Sequence, residues 1–90
     1  MKVATLLWRA GSDMVGDAVK DFLSVRYFVS IIKYSTDLFH AHVTKVSTDK
    51  YYEVMIFRHD KPTCTCRGFL ENKKVCKHMV IAAFSTWMFY

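Results

Sequence analysis

The stretch CTCRGFLENKKVCKH, from Cys64 to His78, holds all three cysteines of the chain and ends on a histidine. Its spacing is C-x-C, nine residues, then C-x-H. Zinc takes sulfur and nitrogen ligands in a tetrahedron, and structural zinc sites use four protein ligands. Cys64, Cys66, Cys76 and His78 supply four. In an extended segment residues i and i+2 point to the same side, so Cys64 and Cys66 can aim both sulfurs at one ion. Cys76 and His78 fall where a helix is expected to open, and the N–H groups and dipole there favour a thiolate at Cys76. Three alternatives explain less. A Cys64–Cys66 disulfide would close a small, strained ring and leave Cys76 over. A nucleophilic cysteine with His78 as its base would leave two thiols without a role. Three buried cysteines beside a surface histidine would not be clustered. One structural Zn2+ per chain is therefore expected, and catalytic zinc is disfavoured because protein fills all four positions.

Such a cage needs elements on both sides of it. LFHAHVTKVS (residues 38–47) and YYEVMIFRH (residues 51–59) are rich in β-formers, and turn-forming residues lie between them, which is a hairpin signature. Phe39, Ala41 and Val43 are expected on one face, with His40, His42 and Thr44 on the other. Tyr52, Val54 and Ile56 alternate with Glu53 and Met55. Pro62, the single proline, cannot donate to a ladder and is expected to end the second strand. From Cys76 onwards, CKHMVIAAFSTWMFY reads as a helix with no charge beyond its first turn; a helix apolar nearly all round is usually buried on more than one side. Upstream, residues 12–24 read as a helix with Ser12 as N-cap and Met14, Val15, Ala18, Val19, Phe22 and Leu23 on one face. Residues 3–10 suit a short helix or a strand. Residues 25–34 are ambiguous, and the preferred reading is a helix ending near Phe28 followed by an extended piece.

A C-x-C followed by a gap and C-x-H, preceded by YYEVMIF and PTCTCRGF and followed by CKHMVIA, resembles the SWIM zinc-finger domain over roughly residues 38–84. The resemblance implies that Cys64, Cys66, Cys76 and His78 are the zinc ligands and that the core is a hairpin followed by a helix. The resulting expectation is a single α+β, zinc-stabilised domain: an N-terminal helix, a β-hairpin, a zinc knuckle and a C-terminal helix. Residues 1–35 would be a helical N-terminal extension packed on the core, and residues 36–90 the zinc finger proper. Domains of this family occur in chromatin-remodelling ATPases, Mutator-type transposases, plant transcription regulators, some ubiquitin ligases and recombination-mediator proteins, and are taken to bind DNA or proteins.

Composition narrows the functional classes. Ninety residues make one domain at most, with a thin core that invites a metal or a partner. A hydrophobic content of 52% argues against disorder. The start, MKVATLLWRAGSD, is interrupted too soon to read as a secretory signal, and no apolar run is long enough to span a membrane. With an odd number of cysteines, this points to an intracellular, reducing compartment. The net charge of +5 is uneven. Arg58, Lys61, Arg67, Lys73, Lys74 and Lys77 crowd the zinc stretch against only Asp60 and Glu71. Cations release counterions from phosphates, so DNA binding through these six is the first functional expectation. Phe69 could stack on a base or pack beneath the loop. The second expectation is a protein-interaction adaptor or homodimer without direct DNA contact, for example a partner of a recombinase-like protein, using Phe84, Trp87, Met88, Phe89 and Tyr90 of the C-terminal helix. No paired carboxylate, phosphate-cradling loop or Ser/His/Asp set is legible, so neither an enzyme nor a small-molecule substrate is expected. His40 and His42 could bind a second metal if His59 joined them across the hairpin, although isolated strand histidines are more often plain surface residues.

Overall fold

The structure is a computed structural model, and it describes residues 1–86. Two short helices, α1 (Val3–Ala10) and α2 (Ser12–Leu23), precede three strands: β1 (Tyr27–Tyr34), β2 (Leu38–Lys45) and β3 (Lys50–Phe57). A two-residue strand β4 (Thr63–Cys64), helix α3 (Arg67–Asn72) and helix α4 (Lys77–Ala83) follow. The strands form one antiparallel sheet in the order β1-β2-β3-β4. The fold is thus α+β, as expected, but the sheet has four strands where the sequence indicated two.

The hairpin forms where the alternation placed it. Leu38 pairs with Phe57 and Lys45 with Lys50. The connection over residues 46–49 closes with Asp49 in the left-handed region (φ 59) and Lys45 O accepting from the Asp49 N–H at 2.9 Å. Phe39, Ala41, Val43, Val54 and Ile56 all turn inward and are buried. Helix α4 lies across them. Met79, Val80, Ile81, Ala82 and Ala83 are all buried because α4 packs on the sheet on one side and on α1 and α2 on the other. A helix with no polar stripe requires that arrangement. Its regular part ends at Ala83, sooner than its uncharged sequence suggested.

Two expectations upstream are corrected. The helix does not run to Phe28. It stops at Leu23 because Val25 takes the left-handed conformation (φ 56), with Arg26 N–H donating to Asp21 O at 3.0 Å and Val25 N–H to Phe22 O at 3.2 Å. This is the Schellman arrangement, in which glycine usually holds the left-handed position. Residues 27–34 are therefore an edge strand of the sheet, and the first 35 residues are not a purely helical extension. Ser12 is not the N-cap of α2 either. Gly11, at φ 85, ends α1 and caps α2, and Ser12 is already helical. A positive φ at this junction suits glycine, which has no Cβ to clash.

The buried face of α2 also differs. Ala18 is buried and Met14, Val15 and Phe22 are partly so, but Val19 and Leu23 are exposed. Asp21 takes the inward position instead and is only 7% exposed. Its carboxylate accepts from Lys77 Nζ at 2.7 Å and from the Arg26 guanidinium at 3.4 Å, which ties α2 to the start of α4. The hydrogen bond from Lys77 is the main reason that the Asp21 carboxyl titrates below its ordinary value of 3.8. A carboxyl whose folded-state pKa is depressed adds stability above the unfolded value and loses it as pH falls through the folded one. Lys77→Met is expected to cost about 1–3 kcal/mol near neutral pH, because it leaves a buried carboxylate with only the long contact from Arg26. Urea unfolding should show the gap between variant and wild type closing in acid, below the ordinary aspartate range. A gap that does not change with pH would exclude this role.

Candidate metal centre

Strand β4 and the residues after it build the first half of the site. Cys64 pairs with Val54 of β3, and the extended backbone turns Cys64 and Cys66 to the buried side while Thr65 points out. The Cys66 N–H donates to Cys64 Sγ at 3.4 Å. Cys66 also caps α3, its sulfur accepting from the Phe69 N–H at 3.4 Å. The stretch between the ligand pairs is thus not a plain loop. It contains one and a half turns of helix, held outside by an Arg67–Glu71 pair at 2.8 Å and ended by Lys73 in the left-handed region.

The second half comes from the opening of α4. Cys76 is its N-cap, and His78 lies in its first turn. His78 turns Nδ1 towards the sulfurs, 4.0 Å from Cys64 Sγ and 3.9 Å from Cys76 Sγ. Its ring stacks on Tyr52 at 4.1 Å between centroids and meets Tyr27 edge-on at 5.6 Å. Neither tyrosine was expected beside His78 from the sequence; both reach the ring only through the strand pairing.

The four donor atoms lie within 4.8 Å of one another. A tetrahedral zinc with Zn–S of about 2.3 Å and Zn–N of about 2.0 Å calls for S···N separations near ~3.6 Å. The observed 3.9–4.0 Å is close to that, so the set fits the metal with a small contraction. The electrostatics point the same way. Cys76 is pulled down to about 4, first by the hydrogen bond from the Cys64 thiol and then by His78 and the Met79 N–H. Cys64 is pushed up by the same bond and by burial, and burial raises Cys66. Cys64 and Cys66 are buried, and Cys76 and His78 are half-buried. Four protein donors with little access suit a structural ion that cross-links the β3–β4 hairpin to α4.

The six cations separate into groups. Lys61, Lys73 and Lys74 line one groove of about 220 Å³ together with Arg9 of α1. Arg58 lines an adjoining hollow with Lys2, and Arg9 and Lys61 are common to both. Arg67 lies outside these hollows and is paired with Glu71. Lys77 is held by Asp21, with Nζ also 5.3 Å from the centre of the Tyr27 ring. Phe69 is half-buried against the core under Lys73, whose Nζ lies 5.3 Å from its ring centre. Arg9 and Lys2 were missed because nothing local in the sequence tells that α1 folds back beside the zinc loop.

Of the C-terminal aromatic set, Phe84 packs inward, edge-on to Phe22 at 5.6 Å. Trp87, Met88, Phe89 and Tyr90 lie outside the described residues. His59 does not join His40 and His42; it lies beyond the last hairpin pair, 4.0 Å from Asp37. Among the described residues no helix is long and apolar enough to cross a membrane.

The family model of the SWIM zinc finger matches residues 44–86, a span that starts near the end of β2 and includes all four clustered donors. No curated protein and no solved structure matches the chain significantly. The match to the SWIM zinc finger and the Cys/His cluster inside the matched span together point to a zinc-binding module.

Proposed function

We propose that this module binds nucleic acid through the groove beside its zinc loop, and that Cys64, Cys66, Cys76 and His78 hold a single structural zinc. The observation that carries the reading is the convergence of Arg9, Lys61, Lys73 and Lys74 on one groove, with Lys2 and Arg58 adjoining. Asp60 is the one acid lining either hollow. Cations held at fixed spacing on a metal-braced loop meet a phosphate backbone without much further ordering, and their contacts are sequence-independent. Arg67 and Lys77, being paired, contribute less. The role is binding rather than catalysis, in a reducing compartment where the thiols stay available for metal.

The test is fluorescence anisotropy with labelled DNA at two salt concentrations. Four phosphate contacts imply a fall in affinity of roughly 10²-fold between about 50 and 200 mM salt. The Lys73→Glu/Lys74→Glu variant should bind much more weakly and with a shallower salt slope. Arg67→Glu should change little. Absence of binding at low salt, or a flat response to salt, would overturn the reading.

A second reading, a protein adaptor, is favoured by β1. It is an edge strand with Phe28, Ile31, Ile32 and Tyr34 exposed, and such edges accept an added strand. Light scattering over a range of concentrations, and pull-down with an Ile31→Lys control, distinguish it from DNA binding.

A further inference from the structure

We propose that His40, His42 and Glu53 form a second metal site, for a divalent first-row transition ion such as zinc, on the face of the sheet opposite the helices. The residues come together by register. His40 and His42 are two apart on β2, so they share a face, and Glu53 of β3 is paired directly with His42. Their ligand atoms lie within 4.8 Å of one another. Both imidazole Nε2 atoms turn to the same carboxylate oxygen, Glu53 Oε1, His40 at 2.8 Å and His42 at 3.8 Å.

An ordinary ion pair accounts for His40 but not for His42. At 3.8 Å the His42 nitrogen makes no hydrogen bond to the oxygen it faces. The ring is nevertheless held in that direction, stacked on Tyr51 with 4.4 Å between centroids. Glu53 is fixed from behind. Its N–H donates to Thr65 Oγ1 at 2.9 Å, and its carbonyl accepts from the Thr65 N–H at 3.1 Å. The side chains are 15%, 29% and 40% exposed, so the donors are partly withdrawn from water yet reachable by an ion. A tetrahedral ion bound at about 2.0–2.2 Å needs donor separations near ~3.4 Å, between the two observed distances. Two histidines and a glutamate are a donor set used for zinc and other borderline metals, and three protein ligands leave a position open for water or an anion. The Cys64 site is closed by comparison.

The experiment is a cobalt titration of the untagged chain, followed by absorbance, with bound metal counted by mass spectrometry. The first equivalent should give the thiolate-to-cobalt charge-transfer band of the cysteine site. A second equivalent should bind with only weak ligand-field bands, giving two metals per chain. In His42→Ala, and separately in Glu53→Gln, the thiolate band should persist while the second equivalent is lost. Glu53→Gln keeps the backbone bonds to Thr65, so it decides the matter if His42→Ala fails to fold. One metal per chain in the wild type would overturn the proposal. So would a second equivalent that survives Glu53→Gln.

Discussion

Cys76→Ser is expected to unfold the domain, and removal of the metal by a chelator to do the same. Zinc binding to comparable small modules contributes about 10–16 kcal/mol, as much as or more than the whole stability of an ordinary domain of about 5–15 kcal/mol. Geometry makes the effect global. Cys76 is the N-cap of α4, and every residue from Met79 to Ala83 is buried in the core. Releasing the start of α4 from β4 frees the element against which the sheet, α1 and α2 all pack. Far-ultraviolet circular dichroism should lose its cooperative melting transition in the variant and in the chelated wild type, and zinc should restore it in the wild type alone. An unchanged spectrum and melting point without metal would show that the cluster does not support the fold.

Phe39→Ala is expected to cost about 3–5 kcal/mol, most of the stability available to so small a domain. Phe39 is 1% exposed and is the largest of the fully buried side chains. It stands on β2, in the middle of the sheet and on the face covered by α4. Truncation removes its packing and leaves a cavity that the paired strand cannot collapse to fill. Phe28→Ala on the neighbouring edge strand is the control. Phe28 is 47% exposed, so its loss should cost about 1 kcal/mol or less. Urea unfolding of the two variants, with metal bound, measures both. Equal costs would mean that the core is not centred on β2.

What could be read from the residues was whatever short-range chemistry determines. The alternation of Phe39, Ala41 and Val43 with His40 and His42 placed the hairpin and its faces correctly. The cysteine spacing placed the Cys/His cluster, because four donors in so short a span have few other uses. The missed elements each lack a local signal. Val25 occupies a helix-ending position where glycine would have announced it, so the boundary before β1 was hidden. Cys66 caps α3 with a sulfur, which is not among the usual N-cap residues. Arg9 joins the basic groove, and Lys2 the hollow beside it, only through tertiary folding. The partner of His42 was within reach, however. Once residues 46–49 are taken as the turn, register alone sets Glu53 opposite His42 and carries His59 past the end of the pairing.

The central place of α4 also orders events in time. Its five buried residues, Met79 to Ala83, are the last apolar ones before Phe84, while the helices and strands that cover them are made earlier on the ribosome. Until that segment emerges, α1, α2 and the sheet have no common core to bury their inner faces. Nearly every stabilising contact of α4 spans a large part of the sequence, and folding must close those long loops before it gains from them. Assembly is therefore expected to wait for α4 and then to come all at once, with the nascent chain exposing the inner face of the sheet until that helix arrives.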